Sequence, residues 1–462
     1  MSPKIWNKYK KNYPITLILI SYILINLILF SQKNIWWDSA VYIGMGKYIF
    51  SFGNAGLWEA SRPLILPFIL GFIWKVGLSP IIFGKILELL FGVGCIYFTY
   101  LVGREIFNYR TGLLASVFVG FTPTFFSASS QLMTGIPSTF FGLTGFYLFI
   151  KKRYLYSGLL LGIAFLTRFL QLFIFIFLII FLIYISKREK LIKNVALIVT
   201  GFFIPVIPYL ILNLLLYYNP IYPFILQVFM TRYTGWPWFE LLSFYFIHLF
   251  KQNFFVIFAL LGTYLIIKDK NRTRICVLAL FLIFFIFYNS VIHKEIRFAI
   301  VFFPYLYLIT SYGIFYIINR IKNKKLALVI LFLGVFFWLL NVTPQFKVYT
   351  FNENYLPYFK YLESVDVSEG IWITNPLYIV ESDKKAELIY YPTFDTKRAK
   401  EMQKLILKAK HVLFNHCDIL CPPWDNRCPA EKEKFISILK NSFQEVYNKK
   451  SGECEYNIFT SS

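Results

Sequence analysis

Apolar stretches near the length that crosses roughly 30 Å of hydrocarbon as a helix recur from Pro14 to Val342, and they leave this chain few possible folds. In lipid the backbone must pair its own N–H and C=O groups, so such runs are helices. The pattern predicts about eleven transmembrane helices, over residues 14–31, 79–103, 111–128, 134–150, 154–167, 169–186, 192–217, 244–267, 275–292, 298–318 and 326–343. A hydrophobic content of 58% and a mean hydropathy of +0.59 agree with lipid as the solvent. The runs stop after Thr343. A boundary at Pro344 therefore separates a membrane domain, 1–343, from a soluble domain, 344–462.

Charge supplies an orientation. Residues 1–343 hold 31 Lys/Arg against 8 Asp/Glu, whereas residues 344–462 hold 16 of each. A basic excess confined to the membrane part follows the positive-inside rule and gives no reason to expect nucleic acid. Six clusters, Lys4–Lys11, Arg104–Arg110, Lys151–Arg153, Lys187–Lys193, Lys268–Arg274 and Arg320–Lys325, contain 21 of those 31 residues. With these clusters cytoplasmic, the N-terminus is inside and the C-terminal domain outside. The short apolar segment Leu64–Leu78 would invert every later loop if it crossed, so it is expected to be re-entrant or interfacial. The first run has a basic start and apolar core like a signal peptide. It lacks a small-residue cleavage site and ends in Ser31-Gln32-Lys33-Asn34, which suits a retained anchor.

Three outer segments carry unusual detail. The loop after the first helix, Ser31–Ser61, begins with Trp36-Trp37 at an expected interface, and Ala40–Phe50 suits an amphipathic surface helix with Asp38 at its start. Tyr218–Ser243 holds Asn219-Pro220, Pro223 and Trp236-Pro237-Trp238, and His293–Arg297 forms a tight turn. The tail suits a small α/β domain with strands at Gly370–Thr374, His411–Asn415 and Glu455–Phe459, and helices at Thr396–Ala409 and Pro429–Leu439. It also carries Cys417, Cys421, Cys428 and Cys454. Outside the cell these predict one or two disulfides; a zinc site with His411 or His416 is the alternative, though the spacings match no common pattern.

Ionisable groups at a membrane are costly and usually have a reason. The outward-facing set includes Asp38, Glu59, Arg62, Arg168, Arg232, Glu240, His293, Lys294, Glu295 and Arg297. A carboxylate able to take a proton beside cations able to hold phosphate oxygens suits a reaction between an acceptor nucleophile and a phosphate-bearing lipid. Each has a plainer reading too. Asp38 could cap a helix, His293–Arg297 could anchor helix ends, Arg168 could snorkel, and Lys85 with Glu88 could form a buried pair one turn apart.

Trp37-Asp38-Ser39-Ala40-Val41-Tyr42 followed by Ser61-Arg62-Pro63-Leu64 resembles the first outer loop of the GT-C integral membrane glycosyltransferases. The similarity is to the branch of dolichyl-phosphate-mannose–protein mannosyltransferases and bacterial aminoarabinose transferases. His293-Lys294-Glu295-Ile296-Arg297-Phe298, running on to Pro304, resembles a motif of the GPI-anchor and dolichol-pathway mannosyltransferases; Tyr218-Asn219-Pro220 and Leu166-Thr167-Arg168 are weaker echoes. The resemblance implies a hexosyltransferase of the plasma membrane, its active site and C-terminal domain extracytoplasmic. It would move a sugar such as mannose, with inversion, from a polyprenyl- or dolichyl-phosphate donor to a protein, lipid or glycan. Asp38 would be the base; Arg62, His293, Lys294 and Arg297 would hold the donor phosphate, with Glu59, Arg168 and Glu295 in support. No cofactor or metal is expected. Two positions depart from the pattern: Ser39 follows Asp38 where many relatives have Glu, and Gly135 stands where a second acidic residue is common, so Asp38 works with less carboxylate help or Glu59 substitutes. A lipid-linked oligosaccharide ligase or polymerase is the alternative within the same chemistry. A transporter or flippase is the alternative outside it, and would place its ionisable groups near the bilayer midplane.

Overall fold

The computed structural model describes residues 3–29, 35–185, 188–234, 239–346, 355, 357, 360–361, 363, 370–389, 396–421 and 423–461. Trp236, Pro237, Trp238 and Lys33 lie outside the described residues. The chain folds as two compact units: one comprises Met1–Ser31, Lys85–Ile221 and Trp238–Val348, the other Gln32–Gly84, Tyr222–Pro237 and Tyr349–Ser462.

The first unit is helical, and every apolar run meets a helix or a broken pair of helices. Pro80–Ile106, Glu189–Tyr217, Arg272–Ser290 and Lys324–Gln345 are long and apolar enough to cross a membrane. Tyr13–Ile28, Gly135–Ile150, Tyr154–Thr167 and Phe169–Ile185 are shorter apolar helices. Breaks fall where the backbone loses a partner. Tyr109–Phe121 gives way to Pro123–Ala128 at a proline that cannot donate. Phe244–Gln252 and Phe258–Asp269 are separated by Asn253, whose side chain accepts from the Phe255 N–H at 3.1 Å. Three helices start on an asparagine cap: Asn108 takes the Thr111 N–H at 3.0 Å, Asn271 that of Thr273 at 3.1 Å, and Asn323 that of Leu326 at 3.1 Å. All three caps sit inside basic clusters read as cytoplasmic from the sequence. A close crossing joins Tyr154–Thr167 to Arg188–Tyr217. A Cβ on Gly158 would lie 2.1 Å from the Ile198 carbonyl, and one on Gly201 2.1 Å from that of Leu155, so only small residues permit it.

In the second unit, Trp37–Phe50 and Ile65–Lys75 pack as a helical pair. Ile65–Lys75 has 11 residues, about 16 Å of helix. Its partner corrects an expectation. Instead of lying on a surface with one apolar face, Trp37–Phe50 is buried continuously from Ser39 to Lys47. A second correction is the helix Tyr222–Thr234, which falls inside Tyr218–Ser243, where the sequence predicts an outer loop.

The tail contributes a five-stranded mixed sheet, in the order β2-β1-β3-β5-β4, with β1 Ile371–Ile373, β2 Ala386–Leu388, β3 His411–Asn415, β4 Gln444–Ser451 and β5 Cys454–Thr460. β1 runs parallel to β2 and β3; β5 runs antiparallel to β3 and β4. Helices Thr396–Ile406 and Cys428–Ser442 accompany the sheet. Ile406, Val412, Phe414, Phe435, Leu439 and Phe459 share its core. Cys417–Cys454 and Cys421–Cys428 are disulfides, so the cysteines are not zinc ligands. Beyond β1 and β3, the half-buried Asp418 carboxylate accepts from Thr374 Oγ1 at 2.9 Å and Tyr355 OH at 3.1 Å.

Candidate active site

Ionic chemistry collects in two clusters, one in each unit. In the second unit, Asp38 stands in the first turn of Trp37–Phe50. It is not the cap: Trp36 holds that position and makes no side-chain capping bond. Arg62 joins two other sequence-derived residues. Its Nη2 lies 2.8 Å from Asp38 Oδ1 and its Nε 3.1 Å from Glu59 Oε1. Ser61 Oγ donates to the same Glu59 oxygen at 2.7 Å, while Glu59 Oε2 is buried without a hydrogen-bond partner. The guanidinium also sits 5.9 Å from the Trp37 ring and 5.6 Å from the Tyr42 ring, within cation–π range. Asp38 and Tyr42 are one helical turn apart, so a single face presents both the carboxylate and an aromatic wall for the cation.

Local backbone geometry fixes this face. A Cβ on Gly46 would lie 2.5 Å from the Pro67 carbonyl, and one on Gly71 2.3 Å from the Gly46 carbonyl. The two helices therefore touch through their backbones, which holds the Ser61-Arg62-Pro63 turn beside the start of the Asp38 helix.

In the first unit, the turn between Arg272–Ser290 and Phe303–Arg320 gathers His293, Glu295 and Arg297. His293 Nε2 lies 2.6 Å from Glu295 Oε1, and Arg297 grips both carboxylate oxygens, Nη2 to Oε1 at 2.7 Å and Nε to Oε2 at 2.6 Å. Burial pushes the Glu295 carboxyl up, but His293 and Arg297 outweigh it and the net shift is below the usual glutamate range. Arg297 Nη1 reaches Met133 Sδ at 3.7 Å, and Tyr245 OH donates to the Glu295 carbonyl at 3.1 Å. Arg168 lies over the Phe298 ring at 5.2 Å, with Gly135 close by: a Cβ there would stand 3.8 Å from Arg168 Nη1.

Lys294 goes elsewhere. It is 5% exposed, donates to the Glu240 carbonyl at 2.8 Å and packs over Phe239. It borders a cavity of about 270 Å³ lined by Phe239, Leu241, Leu242, Asn289 and Ile292. Adjacent residues on an extended segment point to opposite sides, so His293 and Glu295 face together while Lys294 turns away.

Among the described residues, no three His, Cys, Asp or Glu side chains come together as a metal-binding group. Between Asp38 and Glu59 the space is filled by the Arg62 guanidinium. Sequence reasoning did not pick out Ser61, Tyr42, Met133 or Tyr245 as contributors. Tyr42 was legible as the i+4 neighbour of Asp38 and Ser61 as the second residue after Glu59; Met133 and Tyr245 depend on tertiary contacts that no local pattern encodes.

The model of one family, described as dolichyl-phosphate-mannose-protein mannosyltransferase, matches residues 61–212. No curated protein matches the sequence. ArnT from Cupriavidus metallidurans, bound to undecaprenyl phosphate, aligns in structure with a TM-score of 0.67 at 9% identity, over 97% of this chain and 98% of that one. The archaeal oligosaccharyltransferase AglB from Archaeoglobus fulgidus, in complex with an inhibitory peptide and a dolichol-phosphate, aligns with a TM-score of 0.63 at 12% identity, over 98% of this chain and 75% of that one. The chain shares the fold of ArnT and of AglB, with a small C-terminal sheet.

Proposed function

We propose that the protein is a multi-pass glycosyltransferase of the plasma membrane that transfers one sugar, a hexose such as mannose, from a polyprenyl- or dolichyl-phosphate donor. About eleven helices would cross the membrane, with the N-terminus inside and the soluble domain outside. The acceptor is a protein, lipid or glycan on the outer face. The observation that carries this reading is Arg62 seated between Asp38 and Glu59 at a helix start. Asp38 takes the proton of the acceptor hydroxyl or amine as the acceptor atom bonds to the anomeric carbon. The carbon–oxygen bond to phosphate breaks, configuration inverts, and polyprenyl phosphate leaves with the electron pair. Arg62, His293 and Arg297 neutralise that phosphate, a role contributing on the order of 3 kcal/mol for a well-placed donor. Lys294 adds positive charge from its buried position behind the turn. Glu59, Glu295 and Arg168 support these groups, Glu59 through Arg62 and Glu295 through His293 and Arg297.

Membranes containing Asp38→Asn, compared at equal protein level, test the assignment. Transfer from a polyprenyl-phosphate sugar should drop at least a hundredfold; undiminished transfer would rule out Asp38 as base. The AglB likeness favours a second reading, transfer of a preassembled glycan. Product mass separates the two: one added hexose supports the first, a whole oligosaccharide the second.

A further inference from the structure

Lys47 is the one lysine of the Trp37–Phe50 helix, and it is 2% exposed. A buried ammonium needs several acceptors to offset its lost hydration. Lys47 Nζ has four: the carbonyls of Ile379 at 2.9 Å, Val380 at 3.2 Å and Ser382 at 2.9 Å, and Asp383 Oδ1 at 3.0 Å. The three carbonyls close the short helix Tyr378–Glu381, whose last turn has no intrahelical partners for them. A cation at a helix C-terminus is also favoured by the backbone dipoles.

Other contacts converge on the same place. Trp74 Nε1, from the second helix of the pair, donates to Asp383 Oδ1 at 3.0 Å. The Gly56 N–H donates to the Lys384 carbonyl at 3.0 Å, and the Ala386 N–H returns to the Gly56 carbonyl at 2.9 Å. That parallel bridge, Gly56 with Lys385, extends the sheet at its β2 edge with chain from the first loop. A Cβ on Gly44 would stand 2.9 Å from Ile379 Cγ2, so the helix lies directly on the tail domain.

Asp38 and Lys47 are nine residues apart on one helix, about 13 Å along its axis and half a turn around it. Lys47 therefore cannot touch a substrate held at Asp38, and any effect on transfer must pass through the helix. We infer that Lys47 is a positioning residue: by plugging the Tyr378–Glu381 carbonyls it locks the Asp38 helix onto the C-terminal domain and so fixes the base for the reaction. The inference rests on the glycosyltransferase reading for its chemical consequence, while the docking itself is independent of it. It makes the soluble domain part of the catalytic apparatus, where a tethered accessory module would leave the rate of the chemical step alone.

Two full-length variants test it, Lys47→Met and Asp383→Lys. The second alters a side chain that is 69% exposed, so it folds even if the first does not, and it sets a second ammonium against Lys47. Hydrogen exchange over residues 37–50 should accelerate at least tenfold in both. In single-turnover transfer from a polyprenyl-phosphate sugar, the rate constant should fall at least tenfold with the amplitude retained. A purely structural role would lower the amount of active enzyme, and hence the amplitude, leaving the rate constant within twofold of the unmodified protein; that result overturns the inference. Unchanged exchange at 37–50 overturns it as well. Should Asp38→Asn keep a full rate constant, the assignment of the base fails, and exchange still decides whether Lys47 holds the helix in place.

Discussion

Replacing Arg62 by lysine is the most discriminating perturbation of the Asp38 cluster, because it keeps the charge and removes the fork. The guanidinium meets two carboxylates through different nitrogens, Asp38 at 2.8 Å and Glu59 at 3.1 Å. A lysine ammonium is a single point on a flexible stem and serves one of them at a time. A charge-assisted hydrogen bond contributes about 1.5–3 kcal/mol. Arg62 and Asp38 side chains are 20% and 17% exposed, so water screens the pair and the lower end applies. About 1.5 kcal/mol corresponds to roughly a tenfold loss of transfer rate for Arg62→Lys. Arg62→Met leaves both carboxylates without their cation, Glu59 only 8% exposed, and should cost about 3 kcal/mol, on the order of a hundredfold. Initial rates of sugar transfer in membranes, normalised to protein, read both variants. If lysine equals arginine, the bridging fork has no part in the reaction. If methionine equals lysine, charge has none.

Three further outcomes follow from the geometry. Burial pushes the Asp418 carboxyl up to about 6 from 3.8, so the folded state holds its proton where the unfolded chain has released it. Its contribution favours folding below about pH 4 and is lost as pH rises to about 6, a difference of about 3 kcal/mol; Asp418→Asn should abolish that slope in hydrogen exchange of β1 and β3, and an unchanged slope refutes the assignment. Cys454→Ser opens a closure of 37 residues and should destabilise the tail by about 4 kcal/mol on the chain-entropy account, seen as faster exchange in β5; Cys421→Ser, opening 7, should cost about 2. A Cβ at Gly135 meets only ordinary contacts, Ile300 Cδ1 at 3.6 Å and Arg168 Nη1 at 3.8 Å, and Gly135→Asp puts a carboxylate in the first turn of a helix. It should raise stability by about 0.5–1 kcal/mol in thermal unfolding; a loss would show that the Arg168 environment has no room for an acid.

The membrane part was legible because lipid imposes a single rule, apolar helices, and the apolar runs from Tyr13–Ile28 to Lys324–Gln345 meet helices, four of them long and apolar enough to cross a membrane. Asp38, Glu59 and Arg62 were legible as scarce charges beside tryptophan, and their association follows from a short turn. What the sequence hid has physical causes. The Trp37–Phe50 helix reads as amphipathic because Lys47 and Asp38 interrupt an apolar pattern; burial of Lys47 depends on carbonyls more than three hundred residues away. β4 escaped detection because an exposed edge strand, Gln444–Ser451, has no apolar period and carries Lys449 and Lys450, as edges that resist pairing do. β2 is three residues long, too short for any pattern to register.

The two ionic clusters share a design with consequences for how a phosphate would enter. In each, cations are already held by carboxylates: Arg62 by Asp38 and Glu59, and His293 with Arg297 by Glu295. Arg297 Nη2 donates to Glu295 Oε1, its Nε lies 2.6 Å from Oε2, and its Nη1 reaches a methionine sulfur, a weak acceptor. The His293 and Arg297 contacts keep Glu295 below the usual glutamate range. Such resident carboxylates hold long side chains in place before a substrate arrives, which reduces the ordering cost of binding. On the proposed function they would also set a threshold, since a donor phosphate would compete with them. Glu295→Gln separates the two effects. It keeps one oxygen acceptor and removes the negative charge, so the affinity for a polyprenyl phosphate should rise while the single-turnover rate falls as Arg297 and His293 lose their fixed geometry. A fall in both would show that Glu295 acts only by ordering the turn.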